Sequence, residues 1–110
     1  MNTYTLILKN GSRSYPHEYD TDLVVTGEDF RSAVDAEKMK IALRVYSQGK
    51  ILTCEVTGSG VEKRKINDSN GEEVLKEKAW VDLLLHCTSW YPNGPLGYPE
   101  YDLPVRVYEK

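Results

Sequence analysis

The sequence contains few of the residues that build metal sites or disulfide frameworks. Its 110 residues include two cysteines and two histidines, whereas a structural zinc site needs four ligands held close together. Cys54 and Cys87 are far apart in the sequence, and neither belongs to a Cys-x-x-Cys motif. We therefore predict two reduced thiols that pack as small apolar side chains, with no metal and no cofactor.

Long apolar runs are absent as well. The wholly apolar runs are no longer than Leu83-Leu84-Leu85, whereas a membrane-spanning helix needs roughly 18 residues. The first residues, Met1-Asn2-Thr3-Tyr4-Thr5, lack the basic and apolar regions of a secretory signal. These features predict a cytoplasmic protein that does not enter membranes.

Basic residues are outnumbered, with 14 Lys and Arg against 17 Asp and Glu and a net charge of −3. Proteins that bind nucleic acid usually carry a basic face, because the release of counterions from phosphate drives association. The basic run Lys63-Arg64-Lys65 follows Glu62, which favours a solvated face over a phosphate site. The composition argues against nucleic acid, and weak single-strand binding with tyrosines stacked on bases stays an alternative.

The composition that remains is that of one globular unit. Hydrophobic residues make up 40% of the chain and charged residues 28%, and domains usually contain about 100–200 residues. We predict a single compact domain over residues 1–110. Its apolar patterns predict an α+β fold, with an antiparallel sheet of about five or six strands and one long and one short helix packed on one face.

Apolar residues alternate over six short segments, and this pattern predicts strands. The expected strands span residues 3–9, 22–26, 41–46, 51–56, 61–66 and 103–108. Asn10-Gly11 predicts a hairpin turn with a return arm over residues 12–15, and Pro16 limits this arm to a sheet edge or to an early end. Three further features are expected: a loop over residues 17–21, a turn at Gly58-Ser59-Gly60, and an edge position for Pro104.

Two helices are predicted from capping residues and apolar faces. The short helix covers about residues 28–38, where apolar residues recur on one helical face. The long helix covers about residues 72–88, because Ser69 and Glu72 have the spacing of a capping box. From Ala79 onward this segment is apolar nearly all round, which predicts burial on more than one side.

The segment that joins the predicted long helix to the last strand is unusual in composition. Residues 90–102 hold four aromatic residues, three prolines and two glycines, and unstructured connections of this length are often functional. Residues 15–19 have similar chemistry, so we predict a rigid aromatic binding surface edged by carboxylates. Its predicted residues are Tyr15, His17, Tyr19, Trp90, Tyr91, Tyr98 and Tyr101. In the alternative, the rings of residues 90–102 fold inward and cover the apolar end of the helix near Trp80 and Leu84.

Asp82 and His86 are four residues apart on the predicted long helix, so the carboxylate could orient the imidazole. Cys87 would point about 100° away from His86 on a helix, whereas Cys54 could meet the imidazole if its strand lies beneath the helix. A solvated ion pair is the commoner outcome of such spacing. The sequence has no phosphate-binding loop, Gly-x-Ser-x-Gly elbow or His-Glu-x-x-His pair, so we assign no catalytic residue.

These patterns favour a non-catalytic module of the cytoplasm that binds another protein through residues 15–19 and 90–102. A small enzyme or ligand-binding domain that uses His86 and Asp82 with Cys54 is the alternative. The charged segment over residues 61–66 suits an exposed strand edge, which also leaves a homodimer open.

Overall fold

The computed structural model describes residues 1–11, 16–47, 49–89 and 100–110. These residues form five strands and two helices: β1 (Asn2–Gly11), β2 (Pro16–Gly27), α1 (Phe30–Ala36), α2 (Lys38–Val45), β3 (Gly49–Asn67), β4 (Glu73–Ser89) and β5 (Glu100–Glu109). The strands make one antiparallel sheet in the order β2-β1-β5-β4-β3. The predicted α+β class and antiparallel sheet are confirmed.

The predicted long helix over residues 72–88 is wrong, because this segment is the strand β4. Every second side chain of its apolar half is sealed in the core, namely Val81, Leu83, Leu85 and Cys87. Asp82 and His86 lie between them and point to the other side of the sheet. β4 pairs with β3 on one edge and β5 on the other, so an apolar period of two outweighs the helical capping pattern.

Asp68 organises the turn in which the helix start was predicted. Its Oδ1 accepts hydrogen bonds from the backbone amides of Asn70 and Glu72, both at 2.9 Å. Gly71 has a φ of 78°, a conformation that glycine adopts without a steric penalty. The spacing of Ser69 and Glu72 therefore belongs to a hairpin turn between β3 and β4, in which the Asp68 side chain accepts hydrogen bonds from the backbone amides that follow it.

The predicted strand over residues 41–46 is also wrong, because most of this segment belongs to α2. Ile41 and Ala42 are buried and Val45 is half-buried, and their spacing of i, i+1 and i+4 is that of one helical face. Leu43 is exposed. The alternation of Ile41, Leu43 and Val45 is compatible with a strand, but the folded chain buries a different set of side chains.

α1 falls inside the range predicted for the short helix. Asp29 caps it by accepting a hydrogen bond from the backbone amide of Ser32 at 2.7 Å, and this bond lowers the pKa of Asp29. The two helices have 7 and 8 residues, so neither is the long helix that was expected. In the four ranges that the structure describes, no helix has the length and apolarity to cross a membrane.

The core lies between the helices and one side of the sheet. Buried side chains of both helices join alternate residues of the strands in one cluster. Its largest fully buried members are Leu6, Leu8, Val34, Ile41, Val81, Leu83, Leu85, Cys87, Val105 and Val107. The side chains between them point to the opposite side of the sheet. We call that side the second face, and on the inner strands β4 and β5 it carries Trp80, Asp82, His86, Asp102, Arg106 and Tyr108.

β3 is one continuous strand, so the predicted turn at Gly58-Ser59-Gly60 is wrong and the two strands predicted beside it are one. Gly60 makes room for Trp80 of β4. A Cβ at Gly60 would come within 2.9 Å of the Trp80 indole, whereas one at Gly58 would come no nearer than 3.7 Å. The guanidinium carbon of Arg106 lies 4.0 Å from the centre of the same ring. Gly60 thus permits close packing on the second face, and the segment does not turn the chain.

Pro16 lies on a sheet edge, as predicted, whereas Pro104 does not. Pro16 begins the edge strand β2, and residues 17–21 continue this strand instead of forming the predicted loop. Pro104 lies in the inner strand β5, but the ladder between β1 and β5 ends at the pair Lys9–Arg106. Pro104 is therefore beyond that ladder, where its missing N–H costs no pairing with β1.

The Trp80 packing predicts opposite outcomes for two glycine substitutions. Gly60→Ala forces the indole and Arg106 to move, so we expect the free energy of unfolding to fall by about 1–3 kcal/mol. Gly58→Ala meets only ordinary van der Waals contact, and we expect it to be neutral or slightly stabilising because alanine has less chain entropy to lose. Urea denaturation of both variants checks this. A glycine-dependent turn at this place would instead make both variants unstable.

Candidate binding site at one end of the sheet

The two hairpins that contain the predicted binding segments turn at the same end of the sheet. β1 and β4 are both antiparallel to β5, so they run in the same direction. β1 passes into β2 between Gly11 and Pro16, and β4 passes into β5 between Ser89 and Glu100. We call this end of the sheet, with its two hairpin connections, the loop end. Residues 12–15, which include the predicted return arm, and residues 90–99 lie outside the described residues.

Three of the seven predicted binding residues lie within the described ranges. His17 is exposed on β2, Tyr19 pairs with Leu8 of β1, and Tyr101 is the second residue of β5 and is 41% exposed. The other four, Tyr15, Trp90, Tyr91 and Tyr98, lie outside the residues that the structure describes.

Tyr101 is held in place by a chain of hydrogen bonds. Its hydroxyl donates to the hydroxyl of Tyr46 at 2.6 Å, and the Tyr46 hydroxyl donates to the carbonyl oxygen of Thr88 at 2.6 Å. The two rings meet edge to face with their centres 5.8 Å apart. Burial raises the pKa of Tyr46, and the bond from Tyr101 adds to this, so the hydroxyl stays protonated. Tyr101 therefore presents part of its ring to solvent in a fixed position.

Gly49 is required where β3 begins beside this chain. A Cβ at residue 49 would lie 1.6 Å from the carbonyl oxygen of Thr88 and 2.8 Å from the hydroxyl of Tyr46. Both atoms belong to the hydrogen-bond chain that holds Tyr101. Because only glycine lacks the Cβ, Gly49 lets β3 and β4 approach closely enough for Tyr46 to reach Thr88.

The predicted pairing of His86 with Asp82 is wrong. Residues four apart on a strand are separated by about 13 Å, and Asp82 instead accepts hydrogen bonds from Nε and Nη2 of Arg106 at 2.7 and 2.9 Å. Nδ1 of His86 donates to Oδ1 of Asp102 at 2.8 Å, because a carboxylate can only accept. Nε2 of His86 lies 3.4 Å from Oε2 of Glu100. We call His86 with these two carboxylates the His86 clamp.

The electrostatics of the His86 clamp follow from the strand register. Asp102 is directly opposite His86, and Glu100 is opposite Thr88, the next residue on the same side of β4. The hydrogen bond to Asp102, with a smaller contribution from Glu100, raises the pKa of His86. The side chain of His86 is 39% exposed, so the clamp lies at the surface of the second face beside the loop end.

Both thiols lie on the opposite side of the sheet from His86, so neither can contact its imidazole. Cys54 is 5% exposed and Cys87 is 0% exposed, both in the core cluster, as predicted for small apolar side chains. Burial raises the pKa of each thiol. His86 points to the second face, on the other side of the sheet. The contact between Cys54 and His86 on which the alternative enzyme would depend is therefore not formed.

The basic run Lys63-Arg64-Lys65 does not form a cluster. The guanidinium carbon of Arg64 lies 3.8 Å from the centre of the Tyr108 ring, and its Nη2 pairs with Glu18. Lys63 and Lys65 point to the opposite side of β3, because side chains alternate along a strand. Arg64 is therefore paired with Glu18 and separated from both lysines of the run.

Groups that could hold a metal ion are not found among the described residues. Neither thiol lies beside a base, and in the described ranges no three His, Cys, Asp or Glu side chains are placed to hold a metal ion. No family model, curated protein or solved structure matches this chain. Function is therefore inferred from the residues at the loop end.

The sequence pattern does not identify the residues that support Tyr101 and His86. Tyr46 falls within the strand predicted over residues 41–46, and Glu100 and Asp102 fall within the connection predicted over residues 90–102. The alternation of Val81, Leu83, Leu85 and Cys87 carries the signal that β4 is a strand, but it does not reveal which residues of β5 lie opposite His86.

The chain from Tyr101 to Thr88 predicts unequal losses for two tyrosine substitutions. Tyr46→Phe removes two hydrogen bonds, so the free energy of unfolding should fall by about 1–3 kcal/mol. Tyr101→Phe removes one, and a loss of about 0.5–1.5 kcal/mol is expected. Urea denaturation measures both values. Equal losses would mean that Tyr46 does not link Tyr101 to β4.

The burial of both thiols predicts slow alkylation in the native state. Because burial raises the pKa of Cys54 and Cys87, little reactive thiolate is exposed at neutral pH. We expect iodoacetamide to modify both thiols at least about 100-fold more slowly in the native protein than in denaturant. Mass spectrometry follows each cysteine separately. Rapid native labelling of Cys54 would reopen a role for this thiol.

Proposed function

We propose that this chain is a non-catalytic interaction module that binds another protein at the loop end, through residues 15–19 and 90–102. The observation that carries the proposal is that both segments join the sheet at this end. There Tyr101 holds its ring partly exposed, and the His86 clamp lies beside it on the other side of β5.

The chemistry of the two segments suits recognition of a protein surface. Tyrosine and tryptophan supply a large contact area with few rotatable bonds, and prolines reduce the entropy that is lost on binding. Tyr101 is already fixed by Tyr46, so its ring needs no further ordering when a partner binds. A preordered aromatic side chain next to an aromatic, proline-rich segment favours a binding role over simple cover for the core.

The alternatives receive less support. An enzyme that uses His86, Asp82 and Cys54 lacks its geometry, because Asp82 binds Arg106 and Cys54 lies on the other side of the sheet. Single-strand nucleic-acid binding through the run Lys63-Arg64-Lys65 is disfavoured, because Arg64 pairs with Glu18 and the two lysines point to the other side of β3. A homodimer through the edge strand β3 meets a charged segment and two register shifts, which are features that limit pairing between sheet edges.

Site-specific photocrosslinking tests the binding role. A photoreactive benzoylphenylalanine at Tyr98 should capture a discrete protein in cells of the native host. The same residue at Leu75 is the control, because Leu75 is 61% exposed and lies on β4 near the opposite end of the sheet. Identical products from both positions would contradict binding at the loop end.

Alanine substitution in this chain then measures how much the tyrosine rings contribute to the affinity for the captured protein. We expect the double substitution Tyr91→Ala with Tyr98→Ala to weaken binding of the purified partner by at least about tenfold, because aromatic side chains dominate such interfaces. The unfolding midpoint should be unchanged. Leu75→Ala should leave the affinity unchanged. Unfolding of the double variant would assign the rings to covering the core, and unchanged affinity would remove them from the interface.

A further inference from the structure

We propose that protonated His86 holds the first residue of β5 against β4 and that neutral His86 releases it, so that the loop end binds its partner more tightly when His86 carries its proton. This inference rests on the binding role proposed for the loop end and adds its regulation. The geometry that carries it is an exposed imidazole with a carboxylate on each ring nitrogen, Asp102 at 2.8 Å and Glu100 at 3.4 Å.

The two carboxylates respond differently when His86 loses a proton. Protonated His86 has a hydrogen on each nitrogen and attracts both carboxylates. In the neutral ring, the hydrogen stays on Nδ1, because the bond to Asp102 is the shorter one. Nε2 then carries a lone pair that faces Oε2 of Glu100, and two acceptors at 3.4 Å repel each other. Deprotonation therefore releases Glu100 and leaves Asp102 bound.

The direction of the pH dependence follows from the sign of the shift. The hydrogen bond to Asp102 raises the pKa of His86 above its usual value near 6.5. The interaction is therefore complete below the pKa of the unfolded chain and is lost as the pH rises through the higher pKa of the folded protein. The transition therefore lies on the alkaline side of the ordinary histidine range.

The other charged groups around His86 do not replace its partners. On β3, Thr53 lies opposite His86 and carries no charge, while Lys50 and Glu55 point to the same side and have opposite signs. On β4 itself, Asp82 is held by Arg106. The helices contribute their buried residues to the core, on the other side of the sheet.

Release of Glu100 changes the point at which the predicted binding segment leaves the sheet. Glu100 is the first residue of β5, and residues 90–99 lead directly into it. While Glu100 is held, this end of the segment is anchored beside Tyr101, and less conformational entropy is lost on binding. When it is released, the first residues of β5 gain freedom and the partner must order them.

Nitrogen-15 NMR relaxation of the free protein tests the switch directly. Between pH 5 and 9, the order parameters of the Glu100 and Tyr101 amides should fall as His86 deprotonates. In His86→Gln they should show no such transition, and His17→Gln is the control that should keep it. Glu100→Gln should lower the apparent pKa of His86 and abolish the transition at residue 100. Order parameters that stay constant while His86 titrates would overturn the inference, as would an unchanged transition in His86→Gln.

Partner affinity separates failure of the switch from failure of the binding role. Once the captured partner has been purified, we expect its affinity for this chain to fall about two- to tenfold as the pH rises through the His86 transition. A change of this size is the cost of ordering one or two side chains. In His86→Gln the affinity should not change over this range. Binding that is equally tight on both sides of the transition in the native sequence would overturn the switch and leave the binding role intact. Absence of binding at every pH would overturn the binding role, while the relaxation data still decide the switch.

Discussion

The pairing of β4 with its two neighbours determines what each of its side chains can do. β3 pairs with β4 along its whole length, and β5 pairs with it from Trp80 to Thr88. This ladder places Cys87 in the core and His86 on the second face, although the two residues are adjacent. It also places Asp102 opposite His86, which creates the His86 clamp and removes the Cys–His chemistry that the sequence allowed.

Two arginines of the second face are held by partners within the sheet. Arg106 lies opposite Asp82 in the register, binds it through two nitrogens and stacks on Trp80. Arg64 stacks on Tyr108 and pairs with Glu18. Such partly exposed pairs stabilise the fold by only about 0–1 kcal/mol each, but they give each guanidinium group a carboxylate partner. These two guanidinium groups are therefore not available as a free basic pair.

Local pattern was sufficient to predict some elements and insufficient for others. The last strand and the short helix α1 follow from alternation and from a helical apolar face. The errors at α2 and β4 arise where one segment fits two periods: Ile41, Ala42 and Val45 share a helical face, while Ile41, Leu43 and Val45 alternate. In β4, the spacing of Ser69 and Glu72 predicts a helix, whereas the alternation of apolar residues predicts a strand. Pairing with β3 and β5 selects the strand.

The candidate site divides in the same way. The aromatic and proline content of residues 90–102 is visible in the sequence, whereas the support of Tyr101 by Tyr46 joins residues 55 positions apart. The contact between His86 and Asp102 depends on the register of the β4–β5 hairpin, which its long connection leaves open in the sequence. Composition could therefore suggest where binding occurs, but only the folded register identifies the groups that position and regulate it.

Hydrogen–deuterium exchange of the chain, free and bound to the purified partner, tests the binding role most directly. We predict that slowed exchange on binding is confined to peptides that contain residues 12–19 and 90–102, and that exchange in the β3–β4 turn near Asp68 is unchanged. Slowed exchange along β3, with the loop end unaffected, would contradict it.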